Sequence, residues 1–275
     1  MSDPPLSPGL PEEPDVPAAA PRGLRRGAFI LPSLFTMGNI LLGFYAVVLA
    51  YRGEFVVAAW MVVIAGILDM LDGRIARLTH TESEFGREFD SLADSLTFGA
   101  APAWMAFLWG LHEYGRVGWL VPLFFLICTT VRLARFNVQT KSVDSRYFVG
   151  LPSPAAAATV ICLFFVSAQL DAKDTQWMTA IFFTILPLSG SLMISTFRYP
   201  SFKRLDLRRK WSYRTAILLA IVLLVVTSEP VLSFEVVTAT YLLSGPTMWL
   251  WGRLRRRRTD LPAPASESEQ EPETA

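Results

Sequence analysis

Long apolar blocks alternate with short polar stretches along most of this chain. Each block has 16 to 21 residues, close to the roughly 20 that an α-helix needs to cross the apolar layer of a bilayer. The blocks are residues 31–51, 55–71, 92–111, 117–133, 154–170, 177–197, 213–228 and 231–251. The pattern predicts an all-α integral membrane protein, a polytopic bundle of about eight transmembrane helices.

Composition supports this prediction. Hydrophobic residues make up 52% of the 275 residues, charged residues only 18%, and the mean hydropathy is +0.38. A soluble domain of this length needs less apolar surface. The two ends differ from the rest, because residues 1–27 are rich in proline and residues 253–275 are first basic and then acidic. We expect both to be disordered tails around a transmembrane domain at 28–252.

Basic residues predict the orientation of the chain. Of the 25 Lys and Arg residues, 22 fall in the tails, in alternate loops or at the block ends next to those loops, while Arg52, Arg116 and Lys173 fall in the other loops. Because basic residues collect on the cytoplasmic side, we expect both termini on that side of the cytoplasmic membrane. The formal net charge of +1 gives no indication of a nucleic-acid partner.

Two stripes of acidic and small residues border the polar stretch after the second block. The first stripe has the spacing i, i+3, i+4, i+7, i+8 and consists of Asp69, Asp72, Gly73, Ala76 and Arg77. The second has a spacing of four and consists of Gly86, Asp90 and Asp94. The polar residues 78–84 predict a short cytoplasmic turn between two antiparallel helices. We therefore expect the four carboxylates to share one pocket.

Four carboxylates at a membrane need positive charge nearby, because desolvation and mutual repulsion destabilise them. Arg77 alone cannot neutralise them, whereas divalent cations prefer oxygen ligands of this kind. Chemistry on phosphates would favour two Mg²⁺ or Mn²⁺ ions. The predicted ligands are Asp69, Asp72, Asp90 and Asp94.

Two other interpretations of these acids are solvated loop charges and an ion pathway. Acidic residues that are simply solvated in a loop would not be expected to follow the spacing of two helical stripes. An ion pathway in a transporter would be expected to show broken helices and acids near the middle of the membrane, whereas these acids cluster at one face.

The motif Asp69-x2-Asp72-Gly73-x2-Ala76-Arg77-x8-Gly86-x3-Asp90-x3-Asp94 resembles the signature of the CDP-alcohol phosphatidyltransferases in every position. The resemblance implies an integral membrane enzyme, usually a homodimer, that transfers a phosphatidyl group from a CDP-linked lipid to an alcohol and releases CMP. It implies metal binding by the first three aspartates, with Asp90 at the catalytic centre and Asp94 as the general base. It also implies contacts to the cytidine nucleotide from Gly73, Ala76, Arg77 and Gly86.

Other segments resemble the membrane-bound phosphatidylserine synthases, the branch of this family that uses serine. They are residues 31–44, 89–103, 132–138, 148–158 and 192–203. The resemblance implies CDP-diacylglycerol and L-serine as substrates, with membrane lipids around the catalytic domain at 28–252. Ser33 departs from the asparagine expected there, which leaves Thr36 and Asn39 as the nucleotide contacts of that segment.

A serine acceptor carries a carboxylate, which needs a cation near the metals. Arg132 and Arg135 are spaced i, i+3 at the end of the fourth block and are followed by Asn137, so these three residues are the candidates for the acceptor site. Alternatively, the arginines only mark the cytoplasmic side.

Two alternative functions stay open at this point. A sister enzyme would use glycerol phosphate, inositol phosphate or another alcohol, and a phosphorylated acceptor would favour a denser cluster of basic residues. A non-catalytic membrane transporter would produce no CMP.

Overall fold

The computed structural model describes residues 22–78, 83–139, 147–171, 176–200, 224 and 227–259. Within these residues the chain forms eight α-helices and one two-stranded sheet. The helices are α1 (Arg22–Tyr51), α2 (Phe55–Leu78), α3 (Glu84–Asp94), α4 (Ala101–Trp109), α5 (Gly115–Gln139), α6 (Ser153–Gln169), α7 (Gln176–Ile194) and α8 (Pro230–Thr259). The strands are β1 (Tyr147–Val149) and β2 (Arg198–Pro200), which pair antiparallel.

The prediction of an all-α membrane protein is confirmed. In the described part of the chain, four helical stretches are long and apolar enough to cross a membrane: Leu34–Tyr51, Phe55–Ile75, Leu111–Val138 and Gln176–Ile194. Helix α6 is apolar but shorter, with 17 residues. The predicted span at 213–228 lies almost entirely outside the described residues, so the number of eight spans stays a prediction.

The predicted tails fall largely outside the described residues, at 1–21 and 260–275. Helix α1 begins at Arg22, inside the segment predicted as the N-terminal tail, and α8 continues to Thr259, beyond the predicted start of the C-terminal tail. The domain boundaries at 27/28 and 252/253 stay predictions.

Helices α1 and α2 form a tight antiparallel hairpin. Gly53 has φ of 81°, a conformation that glycine adopts without strain, and its amide donates to the Ala50 carbonyl at 2.9 Å. The next amide, that of Glu54, donates to the Leu49 carbonyl at 3.0 Å. This turn brings the first half of α1 beside the last turns of α2, which carry the first acidic stripe.

Helix α3 passes into α4 through a π-helical segment, Ser95–Ala100, so that the chain is helical from Glu84 to Trp109. The predicted third span, 92–111, therefore covers the end of α3, the π segment and α4. Ser83 begins α3 as its N-cap, and its hydroxyl accepts a hydrogen bond from the Gly86 amide at 2.9 Å. Asp94 is the last residue before the π segment, a type of bulge that is frequent at functional sites.

The π segment packs closely against α1. The Thr97 hydroxyl donates to the Asn39 carbonyl at 3.1 Å. A methyl group at Gly43 would lie 2.5 Å from Thr97 Oγ1 and 3.0 Å from Thr97 Cα. Only a residue without a side chain allows this approach, so Gly43 sets the distance between α1 and the helix that carries Asp94.

The short sheet connects the start of α6 with the end of α7. The Leu151 amide donates to the Leu192 carbonyl at 3.0 Å, and the Gly150 amide donates to the Phe197 carbonyl at 2.8 Å. Gly150 has φ of 83° and leaves no room for a side chain beside the Met193 carbonyl. These contacts place Pro152 as the N-cap of α6.

Aromatic rings fill the core between α2, α4, α6 and α7. Phe55, Trp109, Phe164 and Phe182 lie in mutual contact, with ring centroids 4.8 to 6.1 Å apart. On the outside of the bundle, large apolar side chains instead expose half or more of their surface, as at Leu41, Phe44, Trp104 and Ile127. An apolar exterior of this kind suits a lipid environment.

Candidate active site

Three of the four motif carboxylates come together between α2 and α3. One oxygen from each of Asp69, Asp90 and Asp94 lies within 4.8 Å of the others. Asp69 stands about two and a half turns before the end of α2, and Asp90 and Asp94 are one turn apart on α3. The two stripes identified in the sequence thus face each other across this helix pair.

The fourth carboxylate, Asp72, is held by α1. It is buried, and its Oδ2 accepts a hydrogen bond from the Thr36 hydroxyl. Asp72 is not part of the group that lies within 4.8 Å. The hydrogen bond fixes the orientation of a carboxylate one turn away from that group.

The electrostatics of this site favour a cation. Burial, followed by the negative charges of Asp69 and Asp72, raises the pKa of Asp90 to about 7. Asp94 Oδ1 is a buried atom without a hydrogen-bond partner among the described residues. Crowded carboxylates with unsatisfied oxygens are destabilised unless positive charge is supplied.

The donor set fits a divalent metal ion. All the converging atoms are carboxylate oxygens, which are the ligands that Mg²⁺ and Mn²⁺ prefer. In the described part of the chain, no histidine or cysteine belongs to this group. The fit rests on the orphaned oxygen of Asp94 and on the distance between the carboxylates.

The glycines of the motif have different surroundings. Gly73 is exposed, and a methyl group there would meet nothing within 4 Å, so open space lies beside the carboxylates at this point of α2. At Gly86 a methyl group would lie 3.0 Å from Ser83 Oγ, which makes this glycine part of the turn that begins α3. The side chains of Ala76 and Arg77 lie outside the described part of the structure, although both residues belong to α2.

Asn39 is fully buried on α1, one turn after Thr36. Neither its Nδ2 nor its Oδ1 has a hydrogen-bond partner among the described residues. Leaving a buried amide unpaired costs about 1–3 kcal/mol, so such groups usually serve a ligand or a water molecule. Its backbone carbonyl, in contrast, accepts the hydrogen bond from Thr97 on the π segment.

Among the described side chains, Arg132 is a basic residue near the carboxylates. It is partly buried near the end of α5, within electrostatic range of Asp94. Its Nη1 donates to the Ser153 hydroxyl at 2.5 Å. The guanidinium group therefore connects α5, the start of α6 and the acidic group on α3.

Arg135 and Asn137 make contacts farther from the acidic group. Arg135 Nη1 donates to the Ile194 carbonyl at 3.1 Å, at the last residue of α7. Asn137 Nδ2 donates to Ser91 Oγ at 3.0 Å and to Glu88 Oε2 at 3.2 Å. These bonds hold the end of α5 against α7 on one side and against α3 on the other.

The bundle also contains an apolar cavity of about 710 Å³. Its lining comes from α1, the π segment, α4 and α5 and includes Ile40, Gly43, Leu96, Trp104 and Leu123. Ile40 follows Asn39 directly, and Leu96 is two residues after Asp94. The cavity is therefore apolar throughout, and its lining on α1 and the π segment comes from residues close in sequence to Asn39 and Asp94.

Sequence reasoning missed three contributors to this site: Ser153, Thr97 and the π segment. Ser153 lies in a helix start that contains prolines, and nothing in the sequence marks it as a site residue. Its hydrogen bond with Arg132 depends on how α5 and α6 pack. Thr97 reads as an ordinary polar residue of an apolar block. A π turn has no reliable signal in a single sequence.

Comparison with known proteins agrees with this geometry. A family model of CDP-alcohol phosphatidyltransferases matches residues 29–188. A CDP-diacylglycerol–serine O-phosphatidyltransferase of Helicobacter pylori is 40% identical over 223 residues, which cover 81% of this chain and 92% of the relative. Proteins of the same name are 35% identical in Mycobacterium leprae, over 79% of this chain and 73% of the relative, and 32% identical in Bacillus subtilis, over 63% and 92%.

Proposed function

Because the chain belongs to the CDP-alcohol phosphatidyltransferase family, we propose that it transfers the phosphatidyl group of CDP-diacylglycerol to the hydroxyl of L-serine and releases CMP. The observation that carries this proposal is the group formed by Asp69, Asp90 and Asp94 within 4.8 Å. It occurs in a chain similar over most of its length to proteins named serine transferases. The products are phosphatidylserine, which stays in the membrane, and CMP.

The proposed metal site holds two divalent ions, either Mg²⁺ or Mn²⁺. Their ligands would be Asp69, Asp72 and Asp90. The crowding of the Asp69 and Asp90 oxygens supports this assignment, and Asp94 lies next to them as the proposed base. When bound, such ions stabilise negative charge on diphosphate oxygens and on the departing CMP. Thr36 contributes by fixing the carboxylate of Asp72 through its hydroxyl.

Asp94 acts as the general base, with Asp90 beside it at the catalytic centre. The serine hydroxyl is a weak nucleophile at neutral pH, so it needs a proton acceptor within hydrogen-bond distance. In the transfer, the serine oxygen forms a bond to the phosphorus of the phosphatidyl group, the bond from that phosphorus to CMP breaks, and the hydroxyl proton passes to Asp94. The guanidinium of Arg132 is within electrostatic range of this carboxylate.

The cytidine nucleotide binds along the first stripe and the facing part of α1. Open space beside Gly73 and the unpaired amide of Asn39 support this placement. The remaining contacts proposed for the nucleotide are Thr36, Ala76, Arg77 and Gly86. The apolar cavity that begins at Ile40 and Leu96 accommodates an acyl chain of CDP-diacylglycerol.

The serine carboxylate binds at Arg132, because this guanidinium lies beside the proposed base and is anchored to Ser153. Arg135 and Asn137 shape the same end of α5 through their contacts to Ile194 and to α3. They are therefore proposed as weaker contributors to acceptor binding.

The chain is an integral membrane protein, and the orientation and assembly are part of the proposal. The distribution of basic residues supports a cytoplasmic active site with both termini on the same side. We propose a homodimer, in keeping with the family.

One assay tests the function. The purified full-length protein is given CDP-diacylglycerol, a magnesium or manganese salt and a panel of alcohols, and CMP release is followed. L-serine should support release at least tenfold better than glycerol 3-phosphate or inositol phosphate. Better activity with a phosphorylated alcohol would show that serine is not the acceptor, although the chain would still belong to the family. If no alcohol supported CMP release, the proposed transferase activity would be contradicted.

A further inference from the structure

Two buried polar side chains on α1 and α3 have complementary hydrogen-bonding groups that the described part of the fold leaves unpaired. Asn39 is fully buried, and neither its Nδ2 nor its Oδ1 makes a hydrogen bond to a described residue. Asp94 Oδ1 is likewise a buried atom without a partner among the described residues. The amide offers two N–H donors, and the carboxylate oxygen is an acceptor. Each side chain therefore provides what the other needs.

Contacts of the π segment bring these two side chains to the same part of the bundle. The Thr97 hydroxyl donates to the Asn39 backbone carbonyl at 3.1 Å, and Thr97 follows Asp94 by three residues. A methyl group at Gly43, one turn after Asn39, would lie 3.0 Å from Thr97 Cα. The backbones of α1 and the π segment are thus in direct contact, within about one helical turn of Asp94.

The directions of the helices bring the two side chains closer still. One short turn separates α1 from α2 and another separates α2 from α3, so α1 and α3 run in the same direction. Asp94 lies one turn before Thr97 and is therefore level with the stretch between Thr36 and Asn39. Because Cα–Cβ bonds tilt toward the N-terminus of a helix, the Asn39 side chain leans toward this level. Asp72 is held there as well, by the Thr36 hydroxyl. The amide is thus directed at the acidic group from α1.

Fold stability does not account for an amide at this position. Burying an unpaired amide is unfavourable, whereas an apolar side chain of similar size carries no such cost. The proposed base, in contrast, requires a donor of this kind. A general base must keep one carboxylate oxygen turned toward the hydroxyl that it deprotonates, and a hydrogen bond to its other oxygen fixes that orientation.

We propose that Asn39 positions the general base through a bridging water molecule, which accepts a hydrogen bond from Asn39 Nδ2 and donates one to Asp94 Oδ1. The inference rests on the proposed function. Buried water molecules commonly connect polar groups that have no other partner. With Oδ1 held in this way, Oδ2 of Asp94 faces the acceptor hydroxyl and receives its proton. The nucleotide contact proposed above uses the other end of the amide, Asn39 Oδ1, so the two roles are compatible.

The test measures kcat and thermal unfolding of the full-length protein. Asn39→Leu nearly keeps the size of the side chain, and the bond from Thr97 survives because its acceptor is the backbone carbonyl. At saturating CDP-diacylglycerol and serine, kcat for CMP release should fall roughly 10- to 100-fold, the scale of a reacting group that is misplaced by about 1 Å. The midpoint temperature of unfolding should stay the same or rise, since the variant removes an unpaired buried amide.

A double-mutant cycle with Asp94→Asn separates positioning of the base from nucleotide binding. When the base is absent, Asn39→Leu should change the residual kcat by less than about threefold, because there is no carboxylate left to orient. Any rise in the KM for CDP-diacylglycerol reports the nucleotide contact and should be the same in both backgrounds. Radiolabelled CDP-diacylglycerol makes the slow residual release measurable.

Two further variants complete the experiment. Asn39→Ala removes the amide without adding bulk, so the same cycle is measured with it if leucine does not fit at this position. Thr159→Val is the matched control, because it also replaces a buried polar side chain by an apolar one of similar shape. Thr159 is 7% exposed, and its hydroxyl donates to the Ala155 carbonyl within α6. The control should leave kcat and both KM values unchanged.

Two results would overturn the inference. An unchanged kcat with a raised KM for CDP-diacylglycerol would leave Asn39 as a nucleotide contact only. A kcat loss that is equally large with and without the Asp94 carboxylate would make Asn39 a structural residue.

The wild-type protein separates these failures from failure of the proposed function. If wild type releases CMP with serine and the Asn39 variants behave in either of these ways, the function stands and the inference falls. If another alcohol is the better acceptor, the cycle is measured with that alcohol, and only the choice of serine falls. If no alcohol supports CMP release, both fall.

Discussion

The hydroxyl of Thr36 on α1 donates a hydrogen bond to Oδ2 of Asp72 on α2, although the two residues are 36 positions apart in the chain. The bond orients one carboxylate of the motif from a helix that carries none of the motif. Groups that orient metal ligands in this way often contribute 10- to 100-fold to metal affinity. We therefore expect Thr36 to influence the acidic site from α1.

Thr36→Val should weaken metal activation. Without the hydroxyl, Asp72 loses its donor, and the metal concentration for half-maximal CMP release should rise roughly 10- to 100-fold. Thr36→Ser keeps the hydroxyl and should stay within about threefold of wild type. Thr184→Val, which removes an exposed hydroxyl on α7, is the control and should have no effect. A Thr36→Val protein with unaltered metal dependence would show that the bond does not serve the metal site.

Removal of divalent cations should abolish activity. The crowded oxygens of Asp69, Asp90 and Asp94 have no other cation of sufficient charge among the described residues. CMP release should stop after exhaustive EDTA treatment and return on addition of Mg²⁺ or Mn²⁺. Undiminished release in EDTA would contradict the assignment of Asp69, Asp72 and Asp90 as metal ligands.

The variants Asp94→Asn and Asp90→Asn should both lose activity, but for different reasons. Asp94→Asn keeps the size of the side chain but removes the proton acceptor, so CMP release should fall roughly 10²- to 10⁴-fold at every metal concentration. Asp90→Asn removes a metal ligand, so its defect should shrink as metal is raised. Rates measured against metal concentration distinguish the two. Rescue of Asp94→Asn by metal would make Asp94 a ligand.

Arg132→Ala and Arg135→Ala should raise the KM for serine more than the KM for CDP-diacylglycerol. The effect should be larger at Arg132, which lies beside Asp94 and is anchored to Ser153, than at Arg135, which donates to the Ile194 carbonyl. Arg116→Ala, exposed at the other end of α5, is the control. Equal effects on both substrates would mean that the arginines hold the diphosphate or the fold.

Gly43→Ala should destabilise the protein and lower its activity. The added methyl group would lie 2.5 Å from Thr97 Oγ1, and overpacking of this kind costs about 1–3 kcal/mol. Gly66→Ala is the matched control, because its methyl group would meet Phe98 at an ordinary 3.6 Å. The midpoint temperature of thermal unfolding in detergent and the rate of CMP release should both fall for Gly43→Ala. Both should stay near the wild-type values for Gly66→Ala. Equal behaviour of the two variants would contradict the close approach of α1 and the π segment.

The sequence predicts the helical membrane fold and the pairing of the acidic stripes because both follow from local periodicity. Asp90 and Asp94 face Asp69 once the chain turns between 78 and 84, and no other part of the fold is needed to infer it. The Thr36–Asp72 and Arg132–Ser153 bonds could not be predicted, since each depends on the packing of two helices. The proposed role of Asn39 toward Asp94 could not be predicted either, because it depends on the contact with Thr97 that places α1 beside the π segment.

The π segment after Asp94 also affects how related chains should be aligned. A residue advances an α-helix by about 100°, so the extra residue in a π turn changes the direction in which everything after it faces. Deleting one residue between Ser95 and Ala100 would leave Asp90 and Asp94 on their stripe while rotating α4 and the Trp104 wall of the apolar cavity. A one-residue gap at this place in an alignment would therefore mark a real difference in the lipid-facing half, with the acidic half unchanged.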